Sequence, residues 1–467
     1  MKTKLTLTLT FALTFAALTS NAQYAFQNIS LLGRFDDPTV VAEPALGIRY
    51  QSCWGWTDPN NGREYGVIGS TAGTYIVEVT NATNPVVRDY VPGRSQARIW
   101  HEYKTYGKYL YMISDGGGNS LQIADLSYLP DSVHLVYDST GIFDSGHTLY
   151  VDGNKLYVAS VSSPGASFSS MNVYSLANPE LPQLLARLDT DFPVIGSVHD
   201  MYVTNDTVYA SCGYDGLYVF RFDTATNQFT QLSSLVVYPD QGYNHSSFLD
   251  RSHTVLYMLD EIPSGAAVKV VDVNDIYNPT VVDTFYSNPG ATAHNPYVLN
   301  DELFIAYYQD GVQAYDISNP QAPVRNGYFD THYQNPPGTY PGTPYQGCWA
   351  TYTDLPSGHL LASDMQLGLF VLDISQVMST GTPPENPNAP LLYPNPAQDK
   401  STLTLPTSTT DHEISVYSAT GQLLSTNRID SRERTYTIAL NDFPNGVYMV
   451  KVNNSAASFT RPIIVAR

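Results

Sequence analysis

Seven times along this chain a His or Cys opens a tyrosine-rich segment, at spacings of 46 to 54 residues: Cys53, His101, His147, His199, His245, His294 and Cys348. A period of that length belongs to repeat architectures, in which one supersecondary unit recurs and no copy can bury its faces alone. The fourth copy reads SVHDMYVTNDTVYASCGYDGLYVFRFD and the sixth TAHNPYVLNDELFIAYYQDGVQAYDISNPQAPVRNGYFD. Both alternate apolar and polar residues and break at Asn-Asp and Asp-Gly, which supply the positive φ of tight hairpins. A third break recurs as Asn-Pro at Asn84, Asn178, Asn278 and Asn319, each followed by a proline that suits a strand boundary. The repeat region carries no helical apolar period.

Four antiparallel strands in about 45 residues is the geometry of a propeller blade. The seventh copy, QGCWATYTDLPSGHLLASDMQLGLFVLDIS, stops before a fourth strand, and the missing strand has a counterpart at the other end, ISLLGRF from Ile29 to Phe35. The expected fold is all-β: a seven-bladed β-propeller closed by an N-terminal strand, which removes an exposed edge, followed by a small C-terminal β-sandwich. The expected boundaries are a signal peptide at 1–22, the propeller at 23–375, a Pro/Thr/Asn linker at 376–390 and a terminal domain at 391–467. The leader reading rests on Lys2 and Lys4 ahead of an apolar run from Leu5 to Ala17, closed by Ser20-Asn21-Ala22. No other stretch approaches a membrane span.

Removing Lys2 and Lys4 from 23 Lys+Arg leaves 21 against 43 Asp+Glu, a net charge of −22 that disfavours nucleic acid and anionic membranes. Three cysteines are too few for a disulfide scaffold. Cys53 and Cys348 occupy equivalent places in copies that ring closure would make neighbours, so a disulfide between them and two separate thiols are both open. Cys212, inside a strand, reads as a buried thiol.

Candidate site residues follow from the repeat. Asp115, Asp215, Asp260, Asp310 and Asp364 each follow the local His or Cys by 14 to 16 residues, which predicts a structural His/Asp ring with His101, His147, His199, His245 and His294 near the channel mouth. The same ring could instead supply ligands to a divalent metal ion, with His101, His199 and His294 first. All four tryptophans flank the period, Trp54, Trp56, Trp100 and Trp349, and the segment 330–347 adds Tyr333, Tyr340 and Tyr345. Aromatic faces beside carboxylates suit an extracellular glycan, peptide or protein ligand. The functional expectation is a secreted, surface-anchored propeller that binds such a ligand through the face of the strand-entry loops. The alternative is a metal-dependent extracellular hydrolase or lyase. Catalytic residues are not identifiable: there is no G-x-S-x-G, no nucleotide fingerprint, and the run Asp115-Gly116-Gly117-Gly118-Asn119 lies in a hairpin turn and not ahead of a helix.

Two resemblances extend this reading. Tyr393-Pro394-Asn395-Pro396, Tyr417 to Gln422, Asn445-Gly446-Val447-Tyr448 and the final IIVAR strand resemble the type A C-terminal sorting domain of the type IX secretion system. That resemblance implies a Bacteroidetes-type source, passage across the outer membrane by the type IX machinery, cleavage near the linker, and release or attachment to surface lipopolysaccharide. Val268 to Asn274 (VKVVDVN), Val312 to Pro320 (VQAYDISNP) and Leu369 to Ser375 (LFVLDIS) resemble the choice-of-anchor B family with its LVIVD-like repeats. This second resemblance implies a propeller and an extracellular location, and no particular chemistry.

Overall fold

The computed structural model describes residues 24–95, 98–115, 121–333, 340, 345–378, 392–393, 397–405, 410–418, 422–441, 443–454 and 458–465. The expected leader at 1–22, the glycine run 116–119 and most of the expected linker lie outside the described residues. The chain divides into two compact units, one ending at Thr380 and one beginning at Gly381.

The first unit is a succession of antiparallel sheets, most of them built from four consecutive strands. Their first strands are Tyr50–Thr57, His101–Tyr106, Leu149–Asp152, Asp200–Thr204, Tyr243–Leu249, Asn295–Leu299 and Cys348–Tyr352. Each first strand lies beside the next, and Cys348–Tyr352 lies beside Tyr50–Thr57. The last sheet takes only three strands from its own stretch of chain, and its outer strand is Ser30–Phe35, paired antiparallel with Gly368–Asp373. Phe26–Gln27 adds a fifth strand to the preceding sheet, against Val324–Phe329. The one helix among the described residues is four residues long, Leu188–Asp191.

Strand alternation explains why the sheets stack. In Asp200–Thr204, Met201 and Val203 join one apolar cluster with Tyr157 and Val173 of the preceding sheet. Tyr202, between them, joins another with Leu249, Leu256 and Val271 of the following sheet. Successive side chains thus bury opposite faces, and each sheet is covered on both sides. The hairpin after Thr204 turns on Asn205 and Asp206, both left-handed with φ of 48° and 60°, as a two-residue loop of the primed type requires. Gly33 of the outer strand is pressed against the Asn-Pro turn of the first sheet: a Cβ there would stand 2.2 Å from the Ala82 carbonyl oxygen.

The expected linker boundary at 376 moves. Val377 is buried in the apolar cluster of Phe304, Phe329 and Leu372, so the first unit extends to at least Met378.

The second unit pairs two sheets around one core. One contains Leu392–Tyr393, Lys400–Thr404 and Thr435–Ala439; the other contains Leu423–Ile429, His412–Ser418, Gly446–Asn453 and Ser458–Val465. Leu403 and Ile438 from the first meet Ile414, Val416, Val450 and Ile463 from the second. Among the described residues no helix is long and apolar enough to cross a membrane.

Candidate binding site

Because the first strands lie side by side, equivalent positions on them face one another. The position that opens each strand forms an arc of rings. His147 and His199 have centroids 4.1 Å apart, His199 and His245 4.3 Å, and His245 and His294 4.3 Å. Trp349 continues the arc 4.6 Å from His294, and Trp100 stacks on Trp349 at 4.9 Å with an interplanar angle of 27°. Tyr345 packs against Trp100 at 5.4 Å. Trp100 holds a left-handed φ of 67°, a costly conformation for a bulky residue that recurs at functional sites.

Three residues further along each strand lies a second tier. Trp54, Tyr352, Tyr297, Phe248, Tyr202 and Tyr150 form consecutive contacts with centroids 4.7, 5.9, 5.1, 4.5 and 5.5 Å apart. The seventh place in this tier belongs to Lys104, whose Nζ sits 4.0 Å from the centre of the Trp54 ring. Between the tiers, Ser52, Glu102, Thr148, Asp200 and Asn295 line the same cleft, a cavity of about 110 Å³ that opens to solvent. Trp349 Nε1 donates to Glu102 Oε1 at 3.1 Å.

Burial opposes charge on the groups of the cleft. It pushes the His294 imidazole down to about 3 and holds His199 and His245 well below the usual histidine range, with neighbouring imidazoles adding to the effect. Burial also opposes charge on His147, yet its Nδ1 lies 3.0 Å from Asp115 Oδ2, and that carboxylate raises it. His147 Nε2 meets His199 Nε2 at 3.1 Å, and His199 Nδ1 meets Tyr243 Oη at 3.0 Å. Burial raises the Glu102 and Asp200 carboxyls and lowers the Lys104 amine. The cleft is therefore aromatic at both tiers, with polar groups between them whose charged forms burial disfavours.

The structure places several expected site residues elsewhere. His101 is turned to the first sheet, where Nδ1 meets Gln51 Oε1 at 2.8 Å. Trp56 is core: its Nε1 donates to the Gly107 carbonyl at 2.9 Å and its ring packs among Tyr65, Val67 and Leu110. Tyr333 packs on Tyr24 at 5.4 Å, and Tyr340 donates to Asp310 Oδ1 at 2.6 Å.

Nor do the five aspartates pair alike with histidines. Asp115 bridges to the next sheet's histidine. Asp260 is fully buried against Lys269 Nζ at 2.8 Å, and it also accepts from Tyr238 Oη at 3.0 Å and the Gly242 N–H at 2.8 Å. Asp310 accepts from Asn288 Nδ2 at 2.7 Å. Asp364 accepts the backbone N–H groups of Gln366 and Leu367 at 2.9 and 2.8 Å, and burial pushes its carboxyl up to about 6. Asp215 is exposed in its turn. Cys53, Cys348 and Cys212 are all buried free thiols; the Sγ atoms of Cys53 and Cys348 approach the Ala350 carbonyl at 3.6 and 3.8 Å and are not joined.

Apart from Trp54, the second tier was not foreseen from the sequence, although it carries a signal. Counting three residues on from Gln51, His101, His147, His199, His245, His294 and Trp349 gives Trp54, Lys104, Tyr150, Tyr202, Phe248, Tyr297 and Tyr352. Counting from Cys53 and Cys348 misses two of these.

Residues 391–466 match the family described as the secretion system C-terminal sorting domain. The protein is accordingly exported through type IX secretion to the cell surface or beyond. No curated protein matches the chain. Among solved structures it is similar to a putative 6-phosphogluconolactonase from Bacteroides fragilis NCTC 9343, at 13% identity over 86% of this chain and 100% of that one, with a TM-score of 0.46. It is similar also to the periplasmic gluconolactonase of Pseudomonas aeruginosa, at 12% identity over 84% and 99%, TM-score 0.48. A third likeness is to the computationally designed Ika8 protein, at 10% identity over 69% and 82%, TM-score 0.44. Likenesses this remote transfer no activity.

Proposed function

We propose that this is a surface-displayed, seven-bladed β-propeller of the choice-of-anchor B kind that binds an extracellular glycan in the central cleft. In this reading residues 1–22 are a signal peptide, the propeller runs from residue 23 through Met378, and residues 391–467 serve the type IX machinery, with release or lipopolysaccharide attachment to follow. Ring closure is supported by the pairing of Ser30–Phe35 with Gly368–Asp373 and by the neighbouring first strands of the first and last sheets.

The observation that carries the binding proposal is the two-tier aromatic lining with Glu102, Asp200 and Asn295 between the tiers. Sugar rings offer apolar faces to aromatics and hydroxyls to carboxylates and amides, and both kinds of partner are present within one cleft. Titration of the purified chain against glycan and peptide libraries, read by tryptophan fluorescence, tests it. Trp349→Ala removes both the stacking face and the donor to Glu102, and is expected to weaken glycan binding at least tenfold while Tyr333→Ala leaves it unchanged. Equal binding by Trp349→Ala, or selection of peptides alone, would overturn the reading. The second reading, a metal-dependent hydrolase or lyase, is favoured by the buried cluster of His245, Glu261 and His294.

A further inference from the structure

We propose that His245, Glu261 and His294 hold a divalent transition-metal ion of the zinc class, with one coordination position open to the cleft. One donor atom from each of the three side chains lies within 4.8 Å of the others, and all three side chains are buried. No sequence motif announces them, since they come from two adjacent strands of one sheet and the approach to the first strand of the next. His245 belongs to Tyr243–Leu249, Glu261 to Val255–Ile262, and His294 immediately precedes Asn295–Leu299.

The backbone is built to bring two of them together. Tyr243 pairs with Ile262, Asn244 with Asp260 and Ser246 with Leu259, so the ladder is irregular on both sides of Asn244 and skips both His245 and Glu261. Irregularities of this kind re-aim side chains beside functional sites. The carboxylate and the imidazole are the two residues released from regular pairing.

The surroundings orient the donors. Tyr308 Oη donates to Glu261 Oε1 at 2.6 Å, which fixes the carboxylate and leaves its second oxygen free for an ion. His294 Nδ1 lies 2.7 Å from the Trp349 carbonyl oxygen. A carbonyl only accepts, so Nδ1 carries the proton and Nε2 presents a lone pair. A ring nitrogen held by a backbone carbonyl is the usual support of a metal-bound histidine. His245 supplies an independent observation: it is 4% exposed, and its Nδ1 is buried with no hydrogen-bond partner. A buried polar atom left in that state is costly and calls for a ligand. Tyr308 itself holds a left-handed φ of 45°, a strain tolerated where position matters.

Two imidazoles and a carboxylate form a donor set that binds zinc through three protein ligands and leaves a fourth position for water or a ligand. Bonds of about 2.0–2.2 Å place tetrahedral donors about 3.4 Å apart, so binding draws the three atoms inward by side-chain rotation. His245 and His294 line the cleft, which gives the ion its route of entry. Of the three histidines first in line from the sequence, only His294 belongs to this cluster. His101 faces Gln51, and His199 is committed to His147 and Tyr243.

The test is direct titration of the full chain, stripped with chelator, with Co²⁺ and then Zn²⁺. The expected result is one equivalent of Co²⁺ with the visible absorption of a four- or five-coordinate site, displaced by Zn²⁺. Glu261→Gln and His294→Gln should each weaken binding at least 100-fold, and His101→Gln should leave it unchanged. Glu261→Gln keeps an acceptor for Tyr308, so this variant should fold; circular dichroism and tryptophan fluorescence check that it does. Absence of a stoichiometric ion in the wild-type chain would overturn the proposal. So would wild-type affinity in folded Glu261→Gln, or loss confined to variants of His147 and His199. The measurement involves no glycan, so it stands or falls apart from the binding reading.

Discussion

Removing Lys269 should cost more than any surface change, because the charge it leaves behind has nowhere to go. Lys269 and Asp260 are both wholly excluded from solvent, with Nζ 2.8 Å from Oδ2. Breaking such a pair by deleting one partner typically costs about 3–5 kcal/mol, since the survivor becomes an uncompensated buried ion. Asp260 would keep two donors, Tyr238 Oη and the Gly242 N–H, which points to the lower end, about 3 kcal/mol. Methionine fills nearly the space of the lysine stem, so Lys269→Met adds little cavity cost. The chain's four tryptophans, Trp54, Trp56, Trp100 and Trp349, all lie in the first unit. Tryptophan fluorescence during urea unfolding therefore reports that unit without interference from the second. With a slope of about 3 kcal/mol/M, the midpoint should fall by about 1 M. Adding Asp260→Asn to Lys269→Met should recover about half of the loss, because the amide is neutral and still accepts one hydrogen bond. A Lys269→Met midpoint within about 0.3 M of wild type would refute the reasoning.

Gly33→Val tests whether the N-terminal strand clasps the structure: its new Cβ would meet the Ala82 carbonyl oxygen at 2.2 Å, and overpacking against backbone should cost about 1–3 kcal/mol by the same fluorescence assay, with an unchanged midpoint counting against the pairing. The buried His101 imidazole is pushed down to about 4 from an ordinary 6.5. Above pH 6.5 it is neutral in both states; as pH falls from 6.5 to 4 the unfolded chain takes up a proton that the folded chain refuses, so stability is lost by about 1.4 kcal/mol per pH unit. His101→Gln should therefore gain on wild type by about that slope between pH 6.5 and 4.5, whereas a pH-independent difference in unfolding free energy would show that His101 titrates normally.

The four-stranded unit was legible because its breaks are chemical: Asn205-Asp206 can only be a tight turn, and alternation around Met201, Tyr202 and Val203 can only be a strand covered on both faces. The site was legible in part. The arc through His147, His199, His245 and His294 follows from the period, since equivalent positions on adjacent strands must meet. Its two ends did not follow. Pairing shifts between Tyr50 and Cys53 and between Cys348 and Ala350. Such irregularities insert residues that counting cannot detect. The places expected for Cys53 and Cys348 therefore belong to Gln51 and Trp349, and with them go the true positions of Trp54 and Tyr352. Glu261 was hidden for a related reason. The recurring carboxylate spacing selects its neighbour Asp260, and adjacent strand residues point to opposite faces, one toward Lys269 and the other toward the histidines.

The join between Ser30–Phe35 and Gly368–Asp373 has a consequence for biogenesis. A polypeptide emerging amino end first must carry that early segment unpartnered until almost the entire unit has been synthesised, because its mate is nearly the last piece to appear. Contacts so distant along the chain form slowly. That pairing is therefore a late event in the folding of the unit.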